Sequence, residues 1–285
     1  MTKIIDAIQM CDDRMEQYQK DTAQIAEILG HKPQFVIINA SDNEANKRYI
    51  KGKVKEGERA GLDVKVVTYT EDCDEDVIID NILYLQENKI PVIVQLPMYD
   101  HLDKDRILSY IDWTIDADGF TKEWIGNVNL GIDDLVVPAT PKGVIDLLEY
   151  HNVDIVGKNV LIIGSSNHVG KPIIPLILKR GGTILNANIN TQDLPSLVRI
   201  ADIIISCVGK INLINPDDIK DNSVLIGVGF TYVERKQILD FDVDKIVEDG
   251  RASIVSNRIN CTGKATIISL IDNVIMLYKM NLNLI

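Results

Sequence analysis

Apolar positions along this chain switch repeatedly between helical spacing and short β-rich runs, and that rhythm points to a fold class. Ile4, Ile5, Ile8, Met15, Ile25 and Ile28 fall mostly at helical spacing and Gly30 follows as a stop, which predicts one long opening helix over the first 28 or so residues. Strands are then expected over Gln34 to Ala40, Asp63 to Tyr69 and Pro91 to Leu96, separated by helical stretches at 44–60 and 75–87. These runs are largely apolar, as expected of parallel strands covered on both faces. A second series follows the break Val136-Val137-Pro138-Ala139-Thr140-Pro141, with strands expected at Asn159 to Ile163, Thr183 to Leu185, Ile203 to Ser206 and Val224 to Gly227. Residues 265–282 return to a helical pattern through Ile267, Ile268, Leu270, Ile271, Val274, Ile275 and Leu277. The pattern is that of an α/β protein. No repeat or low-complexity linker divides the chain, so two closely packed halves with a cleft between them are expected.

Composition narrows the partners. The chain has 285 residues, 46% of them hydrophobic, and 30 Lys plus Arg against 42 Asp plus Glu give a net charge of -12. A surface this negative repels nucleic-acid backbones and anionic lipid, so neither nucleic acid nor membrane is an expected partner. A small anionic ligand needs a local positive patch, for which the run Arg48, Lys51, Lys53, Lys55 is suited. Cys11, Cys73, Cys207 and Cys261 are scattered, without a CxxC pair or ligand-like histidine spacing, which indicates neither a disulfide framework nor a metal site. The first ten residues lack signal-peptide features and no run reaches the roughly 20 apolar residues of a membrane span, so the expected location is cytoplasmic.

Several residues carry candidate chemistry. The stretch Gly164-Ser165-Ser166-Asn167-His168-Val169-Gly170 follows a strand and opens a helix, where open α/β sheets bind dinucleotides. Its spacing is neither GxGxxG nor Walker A, so a purely structural turn competes with nucleotide binding. Tyr49 and Lys53 are four apart in a helical stretch and share a face. A lysine in a partly desolvated cleft serves as an acid or base, whereas an exposed basic face is its ordinary fate. Gln95 closes an apolar strand, at the end where α/β sites are built. Asp118-Gly119 reads as a turn aspartate, and His168 as a capping or phosphate-contacting side chain rather than a proton carrier.

Taken together and in order, these segments resemble the methylenetetrahydrofolate dehydrogenase/cyclohydrolase family over nearly the whole chain. The matching pieces are Tyr49-x-x-x-Lys53, Gln95-Leu96-Pro97, Asp118-Gly119-Phe120 and Ala139-Thr140-Pro141-Lys142-Gly143. They continue with Gly157-Lys158, Gly164-Ser165-Ser166-x-x-Val169-Gly170-Lys171-Pro172, Ala201-Asp202-Ile203 and Val208-Gly209-Lys210. The resemblance implies two three-layer domains: a folate-binding catalytic domain of residues 1–140 plus 265–285, built of βαβ units, and a Rossmann-like domain of residues 141–264. It implies that Lys53 is the general acid/base, that Gln95 tunes it, that Tyr49 packs on the folate ring system and that Asp118 anchors the pterin. Leu96, Pro97, Gly263 and Thr266 would line the folate site. Gly164, Ser165, Ser166, His168, Val169, Gly170, Val208 and Gly209 would line the site for NADP, with NAD as the alternative. A tetrahydrofolate derivative is the implied substrate, and a homodimer through the Rossmann-like domain the implied assembly.

The departures concentrate on the cofactor side. Where family members commonly show Thr-Pro-Val-Pro-Gly-Gly-Val-Gly-Pro-Met-Thr, this chain has Ser256-Asn-Arg-Ile-Asn260-Cys261-Thr262-Gly263-Lys264-Ala265-Thr266. Asn260-Cys261 in place of a Gly-Gly turn demands other backbone angles or another loop, because cysteine tolerates positive φ poorly. The family's Asp-Val-Gly-Ile-Asn stands here as Gly227-Val228-Gly229-Phe230-Thr231. Ser165 stands where many members have arginine and Asn188-Ile189 where they have His-Ser, which removes charge and hydrogen bonds from a 2′-phosphate. No acidic residue closes the second strand either, so the NAD signature is missing too. Two alternatives stay open at this level: a divergent cyclohydrolase with one activity, and a non-catalytic folate- or nucleotide-binding relative.

Overall fold

The computed structural model describes residues 1–234 and 236–285. In chain order its elements are β1 (Lys3–Ile5), α1 (Ile8–Leu29), β2 (Gln34–Asn39), α2 (Glu44–Arg59), β3 (Asp63–Thr68), α3 (Glu75–Glu87), β4 (Val92–Gln95), α4 (Lys104–Ser109), α5 (Lys122–Asn129) and α6 (Ala139–Tyr150). They continue with β5 (Asn159–Ile163), α7 (Gly170–Lys179), β6 (Thr183–Ala187), α8 (Leu194–Ile200), β7 (Ile203–Ser206), β8 (Val224–Gly227), β9 (Phe230–Val233), β10 (Lys236–Leu239), α9 (Val243–Asp249), β11 (Ile254–Ser256) and α10 (Thr262–Asn281). The chain divides into two compact units, one of Met1–Cys11, Asn127–Asp133 and Thr140–Thr266, the other of Asp12–Gly126, Asp134–Ala139 and Ile267–Ile285.

The second of these units contains a parallel three-stranded sheet in the order β3-β2-β4. Successive residues of a strand point to opposite faces. Val36 and Ile38 of β2 pack with Val92 and Val94 of β4 against Ile78, Ile79 and Ile82 of α3 and Ile107 of α4. On the other face Phe35, Ile37 and Ile93 are equally buried. Both faces of β2 and β4 are therefore dry, which is why these two strands are apolar without alternation, whereas the edge strand β3 keeps Lys65, Val66 and Thr68 exposed. The segment 115–117 runs parallel beside β4, with the Val92 amide donating to the Ile115 carbonyl at 2.8 Å and the Ala117 amide to the Val92 carbonyl at 3.2 Å. Side-chain caps set the helix starts: Asn43 Oδ1 accepts from the Ala45 amide at 2.8 Å before α2, and Asp74 Oδ1 from Asp76 at 3.0 Å before α3.

The other unit holds a six-stranded sheet in the order β1-β11-β8-β7-β5-β6, with parallel pairing throughout. The reversal around β5 makes it a doubly wound sheet, whose ligand crevice lies at the carboxyl ends of the strands. Its core gathers Leu161, Ile163, Ile204, Leu225 and Val255 with Val198, Phe241 and Ile246. An antiparallel pair, β9 and β10, forms a separate two-stranded ribbon.

The expectation of one helix from the first residues is corrected. Lys3–Ile5 is a strand, paired in parallel with Ile254–Ser256, and the helix begins only at Ile8, where the Asp6 carboxylate accepts the Ile8 amide at 2.9 Å. Ile4, Ile8 and Ile28, expected on the apolar stripe, are 50%, 43% and 52% exposed. The ribbon β9–β10 and the short β11 were not expected from the residue pattern. Among the described residues no helix is long and apolar enough to cross a membrane.

Candidate active site

The amphipathic face of α2 decides which member of its basic run turns inward. Arg48, Lys51 and Lys55 stay exposed, whereas Lys53, one turn after Tyr49 and on the same side as Ile50 and Gly57, is 4% exposed. Its Nζ donates to Gln95 Oε1 at 3.0 Å and lies 4.8 Å from the centroid of the Tyr49 ring. Gln95 cannot turn away, because its Nε2 is committed to the Leu96 carbonyl at 2.9 Å. The Leu96-Pro97 bond is cis, and the Pro97 carbonyl accepts from Asn46 Nδ2, in the first turns of α2, at 2.8 Å. Helix and strand end are thereby tied together on either side of the lysine.

Burial lowers the Lys53 pKa from its ordinary value, and the charge on Asp118 pulls the other way. Hydrogen-bond stoichiometry agrees with the direction. An ammonium has three donors, and among the described residues Gln95 is the one acceptor bonded to Nζ. The neutral amine, with two donors and a lone pair, suits this position better.

Asp118 is half-buried, in a turn braced from inside by groups that a reading of the sequence missed. The Asp116 carboxylate, 3% exposed, accepts the Gly119 amide at 2.9 Å and the Thr121 amide at 2.7 Å. Burial nevertheless pushes Asp116 up to about 6, against those two hydrogen bonds and with the help of Asp118. Asn273 of α10 is fully buried and its Nδ2 donates to the carbonyls of Ala117 at 2.9 Å and Val137 at 2.8 Å. A third missed residue, Asn39, ends β2 in register with Gln95. It is 3% exposed, its Nδ2 donates to the Ser41 carbonyl at 3.1 Å, and among the described residues its Oδ1 has no hydrogen-bond partner. The one sequence signal for these residues is a polar side chain at the end of an apolar run, which Asn39 shares with Gln95.

In the doubly wound unit the turn 164–169 links β5 to α7. A Cβ built on Gly170 would stand 2.1 Å from the Gly164 carbonyl oxygen, so only glycine lets the strand end and the helix start touch. This is the close crossing that brings a helix N-terminus to a pyrophosphate, and the turn fits a dinucleotide in that respect. Ser166 Oγ accepts the amides of Val169 at 3.2 Å and Gly170 at 3.4 Å, a cap from within the turn. Ser165 Oγ donates to Asn186 Oδ1 at 2.8 Å, and Asn186 Nδ2 to the Ile162 carbonyl at 3.0 Å. Ser165 and Asn186 thus make a neutral rim at the end of β6, and neither residue supplies a cation for a 2′-phosphate or an acid for a 2′-hydroxyl. His168 and Val169 are half-buried in the same turn. Val208 and Gly209 follow β7, the next strand of the sheet, so the structure brings them to the same sheet edge as the turn.

The altered segment before α10 has a simple solution. Asn260, not Cys261, takes the left-handed conformation at φ 55°, a role asparagine fills more readily than most residues. Cys261 turns inward, 2% exposed, and burial pushes its thiol up to about 12. Thr266 Oγ1 donates to the Thr262 carbonyl at 2.8 Å and reaches Thr140 Oγ1 at 3.3 Å, while nothing lies within 4 Å of a Cβ built on Gly263. Among the described residues no group of three or more His, Cys, Asp or Glu could hold a metal ion.

Comparison with known proteins agrees with both halves. Residues 5–118 match the family model for the tetrahydrofolate dehydrogenase/cyclohydrolase catalytic domain, and residues 138–282 that for its NAD(P)-binding domain. A bifunctional protein FolD of Campylobacter jejuni is 33% identical over 274 residues, 92% of this chain and 97% of that one. A namesake from Lactobacillus acidophilus is 33% identical over 284 residues, 98% of each chain. The crystal structure of the bifunctional enzyme FolD, methylenetetrahydrofolate dehydrogenase/cyclohydrolase, from Campylobacter jejuni superposes with a TM-score of 0.92 at 30% identity, covering 99% of this chain and 100% of that one. The chain belongs to the tetrahydrofolate dehydrogenase/cyclohydrolase family.

Proposed function

We propose that this protein interconverts 5,10-methylenetetrahydrofolate, 5,10-methenyltetrahydrofolate and 10-formyltetrahydrofolate, with Lys53 as the acid/base of the hydrolytic step. The observation that carries the reading is the buried amine: 4% exposed, 3.0 Å from Gln95 Oε1 and lowered in pKa by desolvation. The methenyl carbon is electrophilic because its positive charge is shared with two nitrogens. Neutral Lys53 takes a proton from the water that adds to this carbon. It returns the proton to the nitrogen that leaves as the ring opens, and the hydroxyl proton of the adduct departs as the formyl group forms. Gln95 holds Nζ in line through both transfers, Tyr49 packs on the folate rings, and Leu96 and Pro97 line the same pocket. Asp118 accepts from the amide and amine donors of the pterin, with Gly263 and Thr266 as further folate contacts.

In the oxidative step the dinucleotide supplies the hydride acceptor. Gly164, Ser165, Ser166, His168, Val169 and Gly170 would hold its phosphates and ribose, and Val208 and Gly209 its far end. NADP is assigned from the family likeness, and a crystal structure of the related Trypanosoma brucei enzyme is described as complexed with NADP. NAD fits the neutral Ser165–Asn186 rim as well. The assembly is read as a homodimer through the doubly wound unit, and the location as cytoplasmic.

The decisive experiment is loss of methenyltetrahydrofolate absorbance with purified wild type and Lys53→Met. A positioned proton carrier contributes about 10²- to 10⁴-fold, so the variant should lose that much. Because the active form is the neutral amine and its pKa is depressed, wild-type kcat/KM should rise with pH and level off below the ordinary lysine range. A variant as fast as wild type would end the proposal.

A further inference from the structure

A buried carboxylate group, Asp240, lies in the doubly wound unit. Asp240 follows β10 in an acidic run, Asp240-Phe241-Asp242-Val243-Asp244, that looks like the start of a helix. Asp242 and Asp244 behave that way: Asp242 Oδ1 accepts the amide of Asp244 at 3.1 Å and that of Lys245 at 3.4 Å, capping α9. Asp240 does something else. It is 0% exposed, and its carboxylate accepts three hydrogen bonds, from Ser206 Oγ at 2.5 Å, from the Val208 amide at 3.1 Å and from the Lys210 amide at 2.6 Å. All three donors lie at the carboxyl end of β7: Ser206 closes the strand, and Val208 and Lys210 belong to the loop that leaves it.

The loop is gripped from its other side as well. Thr231 Oγ1 of β9 donates to the Gly209 carbonyl at 2.5 Å, and the amides of Val228 and Gly229 donate to the Ser206 carbonyl at 2.8 and 2.9 Å. A Cβ on Gly229 would fall 2.3 Å from the Gly209 nitrogen, so the two backbones meet in contact. A carboxylate is expensive to bury, and removing one partner of such a set leaves the rest unsatisfied. A buried acid that bonds two amides of one loop and the hydroxyl at its start has that loop's conformation as its structural consequence.

We propose that Asp240 is a positioning residue for the dinucleotide: its buried carboxylate fixes the loop 206–210 so that Val208 and Gly209 present a preformed wall to the cofactor. This rests on the reading that these two residues border the dinucleotide site. Asp240 touches the loop from inside and reaches the ligand only through it. With the amides of Val208 and Lys210 turned inward, the loop meets its ligand with a fixed backbone and does not order on binding. Cys207, inside this loop, is half-buried, and burial first, then the charge of Asp240, pushes its thiol up to about 12.

The test uses the full chain, Asp240→Asn and the milder Ser206→Ala, which leaves the carboxylate with its two amides. Far-UV circular dichroism and thermal unfolding select folded samples. In Asp240→Asn, amide hydrogen exchange at Val208 and Lys210 should quicken by about tenfold or more. Titration calorimetry with NADP and with NAD should show about tenfold weaker binding, and the KM for dinucleotide should rise more than kcat falls. Ser206→Ala should move each readout the same way by less, and decides the matter if Asp240→Asn does not fold. Unchanged exchange at the two amides, or unchanged affinity despite faster exchange, would overturn the assignment. Wild-type protein that binds neither dinucleotide would overturn the cofactor reading along with it, whereas wild-type binding with an unaffected variant overturns the loop alone.

Discussion

The surroundings of Lys53 and the loops at the carboxyl ends of β5 and β7 treat polar groups in opposite ways. Near Lys53 they are left short of partners: the amine has one acceptor, Asn39 Oδ1 has none among the described residues, and Asp116 is pushed up to about 6 despite two backbone bonds. In these two loops they are satisfied from within: exposed Ser166 caps its own turn, half-buried Ser165 is bonded to Asn186, and buried Asp240 holds three donors. Proton transfer needs a group whose two protonation states are close in free energy, and desolvation without full compensation produces one. Holding a large ligand needs a surface of fixed shape, and saturated hydrogen bonds with backbone contact at glycine produce that.

The comparison breaks most readily at Gln95. Gln95→Leu leaves the amine buried without its acceptor, and loss of a hydrogen bond to such a group should slow methenyltetrahydrofolate hydrolysis about 10- to 100-fold. Gln95→Glu is the sharper variant. A carboxylate 3 Å or so from Nζ favours the ammonium, so the Lys53 pKa rises and the rising limb of kcat/KM moves to higher pH. A profile that stays in place in Gln95→Glu would mean that the amine titrating in the assay is not Lys53.

Asp116 tests the same idea through stability. Its folded pKa of about 6 exceeds the ordinary 3.8, so between these values the folded chain binds more protons than the unfolded one. Stability must then fall as pH rises through that window, and the loss is complete above the folded value. Two units correspond to roughly 2–3 kcal/mol. Asp116→Asn removes the slope, although its side chain keeps an acceptor for only one of the Gly119 and Thr121 amides. Urea unfolding at pH 4 and pH 7 should show wild type losing more stability than the variant across the interval. Equal losses in both would place the Asp116 proton elsewhere.

What the sequence shows and hides follows from the range of the forces. The strands β2, β4, β5, β7 and β8 are legible because each is an apolar run bounded by turn residues, β3 and β6 because β-branched residues mark them despite their polar positions, and the lysine and glutamine because each sits at a defined place on a local element. Burial of Lys53 rather than Lys51 or Lys55 follows from helical spacing to Tyr49 and Gly57 once α2 is accepted. β1 is illegible because its three residues pair with Ile254–Ser256 at the other end of the chain, and no local preference predicts that pairing. The same holds for Asn273, which bonds a carbonyl 156 residues away, and for Asp240, whose loop lies about 30 residues upstream. Asn260-Cys261 in place of a glycine pair implies a backbone conflict when only the sequence is considered. The fold resolves it by giving the left-handed position to asparagine and the buried one to cysteine.

The smallest expected effect concerns the neutral rim at Ser165, where the comparison can be altered without touching the core. Ser165 is half-buried and bonded to Asn186, so its replacement by arginine leaves β5 and β6 in place and adds a guanidinium where a 2′-phosphate would lie. A charge-assisted hydrogen bond at a partly exposed site is worth about 1 kcal/mol, so the ratio of kcat/KM for NADP over NAD should rise roughly five- to tenfold. Ser165→Gln, of similar reach but uncharged, should leave the ratio near that of wild type. Because the gain is electrostatic and partly solvated, it should shrink as salt is raised from about 0.05 to 0.5 M, while the ratio for Ser165→Gln stays flat. A ratio that does not move in Ser165→Arg at low salt would mean that the ribose end of the dinucleotide is not bound over Ser165 and Asn186. The shape of the turn, and not the charge of its rim, would then be all that this region contributes.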